Sequence, residues 1–230
     1  MRTLARTALV ALVTAGLTLT VAVAAHVGPA NVGVVDAHGS HTVSAVDNQA
    51  AFHDAMRRLW EDHITWTRLF IVSAATEPDA NLPDLDATVA RLLQNQVDIG
   101  DTIKPFYGDA AGDQLTALLR QHILLAADIV FDAKAGKTAD EQQALDAWYA
   151  NANEIADFLH DANPRNWSQA DMREMMKSHL DLTLDEAVAR LQGHYADDVV
   201  AYDRVHAEIL EMADMLSDGI VAQFPQDFAR

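Results

Sequence analysis

The chain has 230 residues, no cysteine, 10 glycines and 6 prolines, and its 34 acidic against 16 basic side chains give a formal charge of -18. Half of it is apolar, enough to bury one domain core of ordinary size. The lack of cysteine excludes disulfides, thiolate metal sites, iron–sulfur clusters and a cysteine nucleophile, and the acidic balance argues against nucleic acid as a partner because phosphates would be repelled.

Arg2 and Arg6 precede an uncharged run from Ala8 to Ala25, and Ala22-Val23-Ala24 is a small-x-small cleavage pattern. Residues 1–25 therefore predict a secretory signal peptide or, left uncleaved, an N-terminal membrane anchor. Residues 26–46 contain Gly28, Pro29, Gly33, Gly39 and Ser40 without helical periodicity and predict a flexible linker. No second long apolar run follows. A secreted or extracytoplasmic domain is expected over 47–230, touching a membrane only through the first segment.

From Asp47 onward apolar residues recur at helical spacing. A first helix is expected from Asn48 to Ala75, with Phe52, Met56, Leu59, His63, Trp66 and Phe70 on its stripe. A second runs from Leu85 to Ile103 and stops at Lys104-Pro105. A third starts near Asp113 and stops at Gly136. Thr138 and Glu141 predict a capping box for a fourth helix that ends at Asn163-Pro164, and Ser168 with Asp171 caps a fifth. Thr183 and Glu186 predict another capping box near a turn into the last segment, which runs to about Phe224 with a break at Gly193-His194. The expected fold is all-α, a four-helix-bundle-like core of long helices with additional short ones. Val89-Ala90-Arg91-Leu92 recurs as Val188-Ala189-Arg190-Leu191, and Arg120-Gln121-His122 as Arg204-Val205-His206, with His63 and His179 upstream. That order suggests an internal duplication about a pseudo-twofold axis.

The chemistry signal is the position of the histidines. His63, His122, His179 and His206 each fall on the apolar face of their own helix, and Gln96 is a fifth inward polar residue beside Val89, Leu92 and Leu93. A buried imidazole must be paired or ligated. If the four converge they can share a metal ion: imidazoles without thiolate suit Cu or Zn, and a carboxylate nearby would admit Fe. A pair could instead hold a haem iron axially. If they do not converge, they form a hydrogen-bonded network without metal. Asp157-x-x-His160 and Asp203-x-x-His206 have the spacing of di-iron bundles, but Glu61, Asp98 and Asp157 turn away from the stripes. Met172, Met175, Met176, Met212 and Met215 are core filler or soft ligands, and His26, His38 and His41 in the linker are solvated or loosely metal-binding. There is no Gly-rich phosphate loop, no G-x-S-x-G, no H-E-x-x-H and no nucleotide-binding fingerprint.

Several stretches carry a family resemblance: Leu59-Trp60-Glu61-Asp62-His63-Ile64-Thr65-Trp66-Thr67-Arg68, Arg91-Leu92-Leu93-Gln94-Asn95-Gln96-Val97-Asp98-Ile99-Gly100 followed by Lys104-Pro105-Phe106-Tyr107-Gly108, Trp148-Tyr149-Ala150-Asn151, and Met212-Ala213-Asp214-Met215-Leu216-Ser217. The chain resembles a family of small exported helical-bundle proteins of bacteria and archaea that have no established activity. Some members carry the name glycosyltransferase, which the residues here do not support. The resemblance implies an exported helical protein and supplies no catalytic residues.

The leading expectation is a non-catalytic extracytoplasmic bundle that binds a metal ion or haem through some of His63, His122, His179 and His206. A structural or protein-interaction bundle with a metal-free histidine network is the second, and a metal-dependent oxidoreductase the third. The sequence identifies no protein partner.

Overall fold

The structure, a computed structural model, describes residues 45–76 and 80–229. Six helices follow one another: α1 (Ala45–Ala75), α2 (Leu85–Tyr107), α3 (Asp109–Lys134), α4 (Thr138–Ala162), α5 (Gln169–Leu191) and α6 (Tyr195–Gln223), with a single 3-10 turn at Pro225–Asp227. The fold is the expected all-α bundle. All six helices are long, from 23 to 31 residues, where four long and some shorter ones were expected.

Each helix packs on the next in sequence, and α6 closes on α1. The result is a ring of six. At one end Phe52 of α1 meets Phe106 of α2 at 5.3 Å, and Tyr107 meets Phe224 at 5.2 Å. At the other end Lys134 of α3 donates to the carbonyl of Ala74, and Arg68 of α1 reaches Glu186 of α5 and Asp198 of α6. The odd-numbered helices therefore run one way and the even-numbered ones the other. Apolar stripes turned to the axis bury the core. Its larger cluster includes Met56, Trp60, Ile99, Leu119, Ile155, Met172 and Ile209, and a smaller one holds Phe70, Ile71, Leu92, Ile123 and Val130.

Several helix ends differ from expectation for local reasons. Pro105 does not end α2, which runs two residues further. Phe106 and Tyr107 pack into the aromatic end of the bundle, and that contact offsets the one hydrogen bond proline removes. Gly108 then turns the chain at φ 85°, its N–H donating to the Lys104 carbonyl at 2.9 Å, and α3 starts at once, four residues earlier than Asp113. Ser168 caps α5 as expected, accepting from the Asp171 N–H at 3.1 Å. Thr138 does not cap α4: Lys137 is the N-cap residue and makes no side-chain cap bond. Thr183 and Glu186 mark no turn, because α5 runs unbroken through both. Glu186 is held inside by Arg68 instead.

Gly100 and Gly112 let α2 and α3 touch backbone to backbone. A Cβ on Gly112 would lie 2.6 Å from the Gly100 carbonyl oxygen, and one on Gly100 would lie 2.6 Å from that of Gly112. Gly112→Ala is therefore expected to destabilise by about 1–2 kcal/mol, the overpacking penalty outweighing the roughly 0.5–1 kcal/mol that alanine gains as a helix former. Thermal denaturation measures it, and an unchanged or raised melting temperature would mean that the two helices separate freely.

The expected export segment 1–25 and the linker up to residue 44 lie outside the described residues, as do His26, His38 and His41; Ala45 and Val46 already belong to α1. Among the described residues no helix is long and apolar enough to cross a membrane.

Candidate metal centre

Three of the four singled-out histidines meet on the axis. His63, His122 and His179 stand near mid-length on α1, α3 and α5, the three parallel helices of the ring, and are only 3–4% exposed. The His63 and His179 ring centres are 5.8 Å apart, and those of His122 and His179 6.3 Å. His179 is thus the shared neighbour.

Each ring is tied through Nδ1 to a side chain on the following helix. His63 bonds Gln96 Oε1 of α2 at 3.2 Å, His122 bonds Asn151 Oδ1 of α4 at 3.2 Å, and His179 bonds Glu208 Oε2 of α6 at 3.0 Å. The amides are themselves oriented: Gln96 Nε2 donates to the Leu92 carbonyl and to Asn95 Oδ1, and Asn151 Nδ2 donates to the Leu118 carbonyl. Their oxygens therefore face the rings. A carboxylate or an amide oxygen can only accept, so all three Nδ1 atoms carry a proton, and in a neutral ring the lone pair then lies on Nε2. Among the described residues no hydrogen bond involves those Nε2 atoms. Burial, then the neighbouring His179 and His122 rings, holds His63 well below its ordinary pKa. Burial, then His179, lowers His122 to about 3. Both are neutral at physiological pH.

The geometry is a threefold repeat of helical hairpins. The tether lies 33 residues after His63, 29 after His122 and 29 after His179. The first interval is longer by four residues, about one helical turn. The inward histidines follow this threefold pattern and not the suggested twofold one. Val89–Leu92 and Val188–Leu191 lie on α2 and α5, and Arg120–His122 and Arg204–His206 on α3 and α6, but a twofold that pairs those helices pairs α1 with α4, whereas His63 and His179 lie on α1 and α5. The word match is not a structural repeat.

His206 is the fourth predicted ligand and does not join the triad. Its side chain is 37% exposed, and its Nε2 sits 2.8 Å from Glu61 Oε1 at the surface. Val205 and Ile209 take the centre of the α6 stripe, and one residue's rotation of about 100° moves His206 to its flank. Glu208 is the α6 residue that reaches inward, with 14% of its side chain exposed. Asn151 and Glu208 were not singled out in the sequence; the recurring interval of 29 residues from an inward histidine was the signal for both.

Trp60 packs edge-on to His63 at 5.7 Å, and Trp148 lies 5.2 Å from His122. Trp60 Nε1, Trp148 Nε1 and Thr183 Oγ1, one turn beyond His179, are buried without a hydrogen-bond partner among the described residues. Met56, Met172, Met175, Met176 and Met212 are all buried in the larger core cluster. The acid–histidine spacings supply no second centre. Asp157 pairs with Arg173 at the surface, His160 bonds the Trp167 carbonyl, and Asp203 is exposed.

Three imidazoles around one ion at a metal–nitrogen distance of about 2.1 Å have ring centres about 5.5 Å apart. The two separations here are somewhat wider. Among the described residues no group of three or more His, Cys, Asp or Glu side chains already stands at ligating distance. Ligation would need the three rings to draw closer around a common point.

No family model, curated protein or solved structure matches the chain.

Proposed function

We propose that the chain is an extracytoplasmic, non-catalytic bundle that binds one transition-metal ion through His63, His122 and His179. One observation carries this reading: two buried imidazoles flank a third on the axis, and each of the three is tethered at Nδ1 by the next helix, which leaves Nε2 without a hydrogen-bond partner among the described residues. Oriented imidazoles whose outer nitrogen is held by a carboxylate or amide oxygen are the arrangement metal ligands use. The export segment read from residues 1–25 supports the location. Haem fits less well than an ion, since the third ring fills the space beside the other two. The surface pocket beside Tyr107 and Glu154 and the one beside Arg190 and Tyr195 contain none of the triad, which favours storage, sensing or delivery over turnover.

Elemental analysis of protein purified from its own exported compartment, with melting curves before and after chelation, tests the reading. One ion per chain is expected, and at a free ion concentration of 100 times Kd it adds about 2.7 kcal/mol of stability. His122→Ala should abolish the binding. It also strips Asn151 Oδ1 of its donor, so metal-free protein falls by about 1–3 kcal/mol; the mark of ligation is the further loss seen only in loaded protein. Equal losses in both states would favour the second reading, a metal-free histidine network, which the present ring spacing favours.

A further inference from the structure

Taking that metal site as its premise, we infer that the triad selects a soft monovalent closed-shell ion, Cu(I), over divalent Zn(II). The ligand count is the first support. Three imidazoles satisfy Cu(I) in a trigonal plane, whereas Zn(II) takes a fourth ligand. The rings are 3–4% exposed, with Trp60 and Trp148 against them, and the carboxylate beside them, Glu208, is engaged on the outer nitrogen of His179.

Charge is the second support. Glu208 is the one carboxylate hydrogen-bonded to the triad among the described residues. A monovalent ion with that carboxylate makes a neutral unit, whereas a divalent ion leaves a positive charge in an apolar core. The third support is the surroundings. Met176, Met175 and Met172 precede His179 by three to seven residues, Met56 precedes His63 by seven, and Met212 follows Glu208 by four. Because odd and even helices run in opposite directions, all five thioethers lie toward the aromatic end of the bundle, about 5–10 Å along the axis from the histidine level. All are buried in one cluster. Thioether sulfur is polarisable and matches Cu(I) rather than Zn(II).

The test titrates the metal-free full-length chain with Ag(I), an air-stable stand-in for Cu(I), and separately with Zn(II), each against a chromophoric chelator. Wild type and Glu208→Gln are compared. The expected result is one Ag(I) per chain, bound about tenfold or more tighter than Zn(II), with Ag(I) affinity falling about tenfold or more in E208Q at unchanged helical circular dichroism. Zn(II) binding as tightly as Ag(I) overturns the selectivity and leaves the metal site standing; the indole N–H groups of Trp60 and Trp148 would then be available to an oxygen ligand on the zinc. An unchanged Ag(I) affinity in E208Q overturns the role of the carboxylate. Failure of both ions to bind overturns the selectivity and the metal site together. If E208Q does not fold, the wild-type competition decides alone.

Discussion

Arg68→Met is expected to lower the stability of the domain by about 3 kcal/mol, near the low end of what removing one partner from a buried ion network costs. Arg68 Nη1 donates to Glu186 Oε1 and to Asp198 Oδ1, both at 2.7 Å, and Nη2 donates to Asp198 Oδ2 at 3.2 Å. The two carboxylates are 2% and 1% exposed. Arg190 also reaches Asp198, at 3.3 Å, so Asp198 keeps a paired cation in the variant, while Glu186 loses the one cation it is paired with among the described residues and keeps only the longer-range pull of Arg190. Burial already raises Glu186 to about 7, against the pull of Arg68. Protonation can therefore relieve the orphaned acid, which places the loss at the low end. In a domain of this size about 3 kcal/mol corresponds to a fall of about 6–12 °C in melting temperature. Adding Glu186→Gln to Arg68→Met should recover at least about 1 kcal/mol, because the amide needs no cation. A single variant that melts with wild type, or a double variant with no recovery, would show that the guanidinium does not hold α1 to α5 and α6.

The helices were legible in the sequence because apolar periodicity is a local property. Even the inward placement of His63, His122 and His179 could be counted from their stripes. Two things were not legible. The first was helix number and order: Thr183 and Glu186 look like a cap, but a cap needs the chain to turn, and the tertiary pull of Arg68 on Glu186 keeps that stretch inside α5. The second was which polar residues face the axis. Glu208 sits next to Ile209 on the stripe, yet an acid in an acidic chain reads as solvated until a partner appears. His206 fails in the opposite sense, since its neighbours Tyr202 and Leu210 are only half-buried and form the rim of the stripe rather than its centre. Rim and centre differ by one residue, and short words such as Arg-x-His do not resolve that difference.

Metal-free protein should lose stability steeply once the pH falls below about 6.5, and the sign follows from which state binds the proton. His63 and His122 stay neutral in the folded chain, His122 down to about 3, while in the unfolded chain both titrate near the ordinary 6.5. Below that pH the unfolded state takes up two protons that the folded state refuses, and each costs about 1.4 kcal/mol per pH unit. Glu186 works the other way. Its folded pKa is about 7 against an ordinary 4.5, so between those values the folded state holds a proton that the unfolded state lacks, and acidification stabilises by the same slope. From pH 6.5 to 5 two losses meet one gain, and wild type should fall by about 2 kcal/mol. Below 4.5 the Glu186 offset ends. In Glu186→Gln the offset is absent throughout, so the same interval should cost about 4 kcal/mol. Denaturant midpoints at pH 7.5, 6 and 5 for the two proteins separate the contributions. Parallel curves would show that Glu186 does not titrate in this range, and a flat acid limb would show that the two rings accept protons inside the fold. The same two lone pairs that refuse the proton are the ones offered to the metal ion, so protons do not compete with Ag(I) at His63 and His122, and loading should raise the stability of the folded chain without changing the slope these two rings give the acid limb.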